Sequence, residues 1–343
     1  MNERLRVLHV IRSGGFAGVE KHVALLAGEQ ARLGDQVTIV GGMTDRMVVE
    51  AANPAVRVVP AATVAEAVRR IGEFRQCDVL HVHMTAAELA GTLAVSASRV
   101  PVVATRHFAA VRGASLAGRM IAPMIRRRVA AQIAISHYVA DHVDGPATVI
   151  HPGVPTVGAT PSSADRQPCI LVAQRLEREK RTDVTVRAFA ASGLASGGWR
   201  LEIAGTGSQA GNLASLAEQL GVARSVRLLG FRSDIDLLMR RASLLLAPCD
   251  IEGLGLTVLE AMAVALPVVL AGAGAHLELV EDVPDAALFR PDDIEQAGAL
   301  LAVLADDPSR RDRYGSQLQQ AQRTHFTLAA QGEATQQLYE SLR

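Results

Sequence analysis

Aromatic residues make up only 3% of this 343-residue sequence. A core so short of Phe, Tyr and Trp must be built from Ala, Val, Leu and Ile, which suits helices packed on buried parallel strands. Cysteine is scarcer still: Cys77, Cys169 and Cys249 stand far apart with no paired spacing. That excludes a disulfide scaffold or a zinc pattern and leaves three small core residues in a reducing compartment. No apolar run is long enough to cross a bilayer, and the start, MNERLRVLHVIRSGG, turns charged and glycine-rich too soon for a signal peptide. The expected compartment is the cytoplasm. Neither sign of charge dominates, since 35 Lys and Arg balance 35 Asp and Glu. Coating a nucleic acid needs a basic excess, so no nucleic-acid partner is expected.

What the sequence has in quantity is short apolar runs separated by stretches of helical period. Leu5–Ile11, Gln36–Val40, Val56–Pro60, Asp78–Val82, Val100–Thr105, Gln132–Ser136 and Thr148–His151 read as strands, and Val19–Leu33 as the first helix. His151–Pro168 then carries four prolines and two glycines, which neither a helix nor a central strand accommodates, and reads as a linker. The rhythm restarts with strands at Cys169–Gln174, Arg200–Gly205, Val226–Leu229, Ser243–Ala247 and Pro267–Leu270. Helices fall at Thr182–Ala191, Gln209–Leu220, Ile235–Arg241 and Leu256–Ala265. The fold class is therefore α/β, with two Rossmann-like, doubly wound parallel-sheet domains in tandem and ligands expected in the cleft at their strand ends. The boundaries predicted are 1–155 and 156–325. The tail from Pro308 reads as polar helix, with Phe326, Leu328, Leu338 and Leu342 as its anchors.

The most specific constellation is Asp250-Ile-Glu-Gly-Leu-Gly-Leu-Thr-Val-Leu-Glu-Ala-Met-Ala, directly after a strand; seven residues separate Glu252 from Glu260. Gly253 and Gly255 leave the backbone bare where a helix starts, and the first N–H groups of that helix, around Leu254, Leu256 and Thr257, offer a phosphate site. Each glutamate alone would read as a solvated side chain; the whole string does not. Gln174-Arg-Leu-Glu-Arg-Glu-Lys180 adds two cations, Arg175 and Lys180, at another strand end, where they can close on a diphosphate. Other glycine turns end strands at Gly14-Gly15, Gly205-Thr-Gly207 and Gly230-Phe231. The first does not spell G-x-G-x-x-G, so a dinucleotide oxidoreductase falls well behind. His81 and His83 face the same side of a strand, which begins a metal site, but no nearby Cys, Asp or Glu completes it; a structural or acceptor-side role is expected. Asp234-Ile-Asp236 reads as a helix start capped by Ser233, not as a metal motif.

On Glu252-x7-Glu260 and the Arg175…Lys180 stretch, the chain resembles the retaining glycosyltransferases of family 4, which have the GT-B fold. The resemblance implies that Glu252 contacts the donor sugar, that Glu260 binds the ribose, and that Arg175 and Lys180 hold the diphosphate. It implies that Gly205, Gly207, Gly230 and Phe231 frame the nucleotide, that Gly15 lies near the donor, and that His107, in a Thr-x-His segment, reaches the donor sugar. Three positions depart from the family pattern: Gln174 stands for Gly, Ser208 for Pro and Phe108 for Asp. The reaction implied is transfer from a nucleotide-sugar, a UDP-sugar by family weight, to a glycan, natural-product or lipid-linked acceptor, with no metal and no cofactor. The helix 326–343 is then expected to pack back on the first domain. The basic, apolar stretch Arg119–Arg128 is the one hint of peripheral membrane contact. A nucleotide-sugar 2-epimerase of the same fold and a non-catalytic nucleotide-sugar-binding subunit stay open.

Overall fold

Val, Leu and Ile runs form two separate parallel sheets in the computed structural model, which describes residues 4–74, 76–95, 99–113 and 116–343. Two compact units result: Met1–Gly153 with Thr327–Arg343, and Val154–Phe326.

The first unit holds β1 (Arg6–Ile11), β2 (Gln36–Val40), β3 (Arg57–Val59), β4 (Val79–His83), β5 (Val102–Arg106), β6 (Val129–Ala134) and β7 (Thr148–Val149). Their order is β3-β2-β1-β4-β5-β6-β7, all parallel, so the winding direction reverses between β1 and β4. Open sheets of this order take their ligands at that reversal, beyond the carboxyl ends of the strands. The first helix, Gly18–Arg32, starts at Ala17, whose N–H donates to the Glu20 carboxylate at 2.9 Å. Glu20 is thus part of the helix cap.

The polar tail is two helices, Pro308–His325 and Leu328–Glu340, the second lying within the expected 326–343. Thr327 separates them and caps the second by accepting from Ala330 N–H at 3.2 Å. Phe326 is buried and closes the second unit. Leu338 and Leu342 do pack on the first unit, against the core of Leu5, Val7, Val79, Val103, Ile133, Ile150 and the fully buried Tyr339.

The second unit holds β8 (Gln167–Ala173), β9 (Arg200–Ala204), β10 (Val226–Gly230), β11 (Ala242–Ala247), β12 (Val268–Ala271) and β13 (Leu288–Phe289), in the order β10-β9-β8-β11-β12-β13 and again all parallel. The sequence shows no sign of β13, because two residues carry no periodicity. Tyr314 helps hold it beside β12: its hydroxyl accepts from Ala287 N–H at 3.2 Å and donates to the Val268 carbonyl at 3.0 Å. Helix Ile235–Arg241 starts after Asp234 and not after Ser233, and no side chain caps it. The Asp234 carboxylate instead takes the Arg232 guanidinium, at 2.8 and 2.5 Å, and no capping box forms.

Among the described residues no helix is long and apolar enough to cross a membrane. Helix Leu116–Arg128, which carries the basic stretch, turns Arg128 inward to the Val95 and Val100 carbonyls and leaves Met120 84% exposed.

Candidate functional site

In the second unit, β11 ends at Ala247 and helix Leu256–Ala263 begins at Gly255, so Glu252 lies in the loop between them. Gly255 has φ +97°, a conformation that costs other residues strain, and it caps the helix without a side chain. Its carbonyl accepts from Val258 and Leu259, which leaves the first turn closed only by backbone. No acidic side chain occupies that turn.

Lys180 reaches this loop from a short turn after β8. Its ammonium donates to the Glu252 carboxylate at 2.6 Å, and the two side chains are 19% and 22% exposed. Burial would push the Glu252 carboxyl up, but the Lys180 charge and hydrogen bond, with help from the Gly253 N–H, hold it below the ordinary glutamate range. Glu252 is therefore ionised at neutral pH.

Two residues the sequence did not single out position the pair. Gln174, at the place of the expected glycine, donates its amide N–H₂ to the Lys180 carbonyl and the Thr182 hydroxyl, both at 2.9 Å, so it ties down the backbone that carries the lysine. His276 is 1% exposed and donates Nδ1–H to the Ala271 carbonyl at 3.1 Å. Burial lowers its pKa, which keeps it neutral. The loop before His276 braces Glu252 directly: Ala275 N–H donates to the Glu252 carbonyl, and a Cβ on Gly274 would come within 2.9 Å of the same oxygen. A buried polar residue near a glycine turn was the available signal in both cases.

The other predicted residues are less closely gathered. Arg175 is 56% exposed and pairs with Glu179 at 3.0 Å. Glu260 lies one turn inside helix Leu256–Ala263. Gly205 N–H donates to the Gly230 carbonyl at 2.8 Å, joining the ends of β9 and β10, and Phe231 beyond them is 64% exposed. Gly205 and Gly207 have a structural reason to be glycine. A Cβ would sit 1.9 Å from the Gln174 carbonyl at the first and 2.4 Å from the Leu176 carbonyl at the second. Ser208, where proline was expected, donates its hydroxyl to Glu177 at 2.6 Å and its N–H to the same carboxylate.

In the first unit Gly15 is exposed, and a Cβ there would meet only the Ser13 hydroxyl, at 3.7 Å. Nothing within the unit requires glycine at that position. His107 follows β5 at its carboxyl end and belongs to a cluster the sequence reading missed. His81 and His83 were expected to have a structural or acceptor-side role, with no Cys, Asp or Glu nearby to complete a metal site. The structure brings His9 from β1, His22 from the first helix and His107 beside them, with one nitrogen each of His9, His81 and His83, and of His22, His83 and His107, within 4.8 Å. Parallel pairing puts His9 opposite His81. Burial drives all five toward the neutral form, His9 to about 4 and His22 to about 3, with His81, His83 and His107 also well below the ordinary value.

Two glycosyltransferase family models match the chain. The model for Glycosyltransferase Family 4 matches residues 16–157, and the model for Glycosyl transferases group 1 matches residues 159–321. The exopolysaccharide phosphotransferase SCO2592 of Streptomyces coelicolor is 32% identical over 46% of this chain and 17% of its own length. The lipopolysaccharide core biosynthesis mannosyltransferase LpcC of Rhizobium leguminosarum is 28% identical over 63% of this chain and 66% of its own length. The chain thus spans a small part of the first and just under two thirds of the second. The crystal structure of Anabaena Alr3699/HepE in complex with UDP and glucose superposes with a TM-score of 0.79 at 20% identity, over 98% of this chain and 100% of that one. Two family matches that adjoin along the chain, on two parallel sheets shared with a GT-B neighbour, make it a member of the GT-B glycosyltransferases of family 4 type.

Proposed function

We propose that this protein is a retaining glycosyltransferase that moves a sugar from a UDP-sugar to a hydroxyl of a glycan, natural-product or lipid-linked acceptor. The observation that carries the reading is the Lys180–Glu252 pair, 2.6 Å apart in front of a helix start that no side chain caps. A departing nucleoside diphosphate gathers negative charge. Lys180, Arg175 and the bare N–H groups at Leu256 and Thr257 are cationic or dipolar donors suited to stabilise it without a metal ion. Glu252, held ionised, is an acceptor for sugar hydroxyls, and Glu260 on the following helix takes the ribose diol. The acceptor hydroxyl then attacks the face that the diphosphate leaves, which preserves the anomeric configuration. The UDP seen bound to Alr3699/HepE supports the choice of nucleotide.

Calorimetric titration with UDP tests the reading. Glu260→Ala is expected to weaken UDP binding roughly tenfold, the loss of a charge-assisted hydrogen bond. Unchanged affinity would remove the ribose role, and no binding by the unmutated protein to any nucleoside diphosphate would end the proposal.

A further inference from the structure

Five histidines, a glutamine, a threonine and a tyrosine meet between the first sheet and its helices, and their protons can be counted. Gln30 sets the polarity through its orientation, with Oε1, which only accepts, facing His9 and Nε2, which only donates, facing Tyr339. His9 Nε2 lies 2.6 Å from Gln30 Oε1, so that nitrogen carries the proton. Neutral His9 then has a bare Nδ1, which at 3.0 Å must accept from His83 Nε2–H. His83 in turn has a bare Nδ1, which at 3.1 Å accepts from His107 Nε2–H. On the other side Gln30 Nε2 donates to the Tyr339 hydroxyl at 3.2 Å. Tyr339 donates to His81 Nδ1 at 2.5 Å, and His81 Nε2–H to Thr105 Oγ1 at 2.6 Å.

We propose that Gln30 is a positioning residue that acts through His9 and His83 to hold His107 as the tautomer protonated on Nε2, so that its bare Nδ1 offers an acceptor to a ligand hydroxyl at the carboxyl edge of the sheet. Three observations support it. Each imidazole of the relay, His9, His81, His83 and His107, is neutral through burial, so each has one donor and one acceptor and the polarity passes from ring to ring. The chain uses both nitrogens of His9, His81 and His83, whereas His107 Nδ1 has no hydrogen-bond partner among the described residues. His107 is 7% exposed as a residue, so the imidazole is held in place by its surroundings while its Nδ1 is left for a partner. The identity of that hydroxyl as a sugar's rests on the function proposed above; the relay itself does not.

Long-range ¹H–¹⁵N NMR of histidine-labelled, ligand-free protein reads each tautomer directly. His9, His83 and His107 are expected to be protonated on Nε2 alone. Gln30→Leu removes the anchor, and His107 should then lose its single-tautomer signature, while Gln30→Glu, which still accepts from His9, should keep it. Should Gln30→Leu fail to fold, His9→Phe cuts the same relay one step later and should give the same loss. In turnover assays the loss should appear as a fall in kcat/KM of roughly tenfold, recovered by Gln30→Glu. A proton on His107 Nδ1 in the unmutated protein, or an unmoved tautomer in both cut variants, would overturn the proposal. Stoichiometric binding of Zn²⁺ that shifts His22, His83 and His107 together would also overturn it, in favour of a metal site. An intact tautomer pattern in a protein that binds no nucleotide-sugar would support the relay and sink the transferase reading alone.

Discussion

Lys180→Ala separates what the Lys180–Glu252 pair does for the fold from what it does for transfer. Both side chains are about four-fifths buried, at 19% and 22% exposure. Breaking a fully buried pair costs about 3–5 kcal/mol; with this much solvent access, about 1–3 kcal/mol is expected. In a unit of this size that lowers Tm by about 3–10 °C. Glu252 is the group whose carboxyl is depressed in the folded state, so its contribution is present above the unfolded value, near pH 4, and disappears as the pH falls through the folded one. The gap in Tm between Lys180→Ala and the unmutated protein should therefore be open at pH 7 and closed at the acid end. Removing Glu252 as well, in Lys180→Ala/Glu252→Gln, should recover most of the lost stability, because no buried charge is left unpaired. Turnover should not recover: losing a cation aimed at the leaving diphosphate is expected to cost about 10²–10³-fold in kcat. Calorimetric melts across pH and a product-forming assay on the three proteins decide the matter. A double variant as unstable as the single one, or a single variant with normal turnover, would refute the reasoning.

Other expectations follow from the same distances. Asp144 takes Arg106 and Arg112, each at 3.0 Å, and its carboxyl, which burial would raise, is brought down to about 2 by the Arg112 N–H and the two guanidinium groups. Asp144→Ala should destabilise the first unit by about 3 kcal/mol in denaturant titrations, and the contribution should fade as pH falls from about 4 toward 2. Gly207→Ala drives a Cβ to within 2.4 Å of the Leu176 backbone and should cost stability, read as a lower denaturation midpoint. Gly15→Ala meets nothing closer than 3.7 Å, so its midpoint should stay unchanged, and any loss should appear only in donor affinity. Gln174→Gly releases the Lys180 carbonyl and the Thr182 hydroxyl, both held at 2.9 Å; a smaller kcat with little change in stability is expected, measured by single-turnover kinetics.

Most strands were legible within a residue or two, because buried parallel strands are runs of Val, Leu and Ile whatever surrounds them. The exception, β13, is held by pairing with β12 and by Tyr314, neither of which leaves a local pattern. The Pro308–Arg343 tail reads as one helical stretch because both halves are polar; only packing shows that Phe326 belongs to one unit and Tyr339 to the other. Ser233 reads as the cap of helix Ile235–Arg241, but that helix starts one residue later than such a cap requires, after Asp234, whose carboxylate is held by Arg232.

The strand run before Glu252, the two glycines after it and the cations that follow β8 are local facts, and the sequence alone was enough to establish them. Short-range order depends on neighbouring residues: apolar period, glycine freedom and helix start are all written within a few positions. Which side chains meet was decided by tertiary structure. Lys180 and Glu252 are 72 positions apart, and His81 and Tyr339 258 apart, yet each pair is joined by a hydrogen bond. The histidine relay in particular exists because parallel pairing sets His9 beside His81 while two helices cover that face with Gln30 and Tyr339. Burial then removes the water that would let each ring choose its own proton.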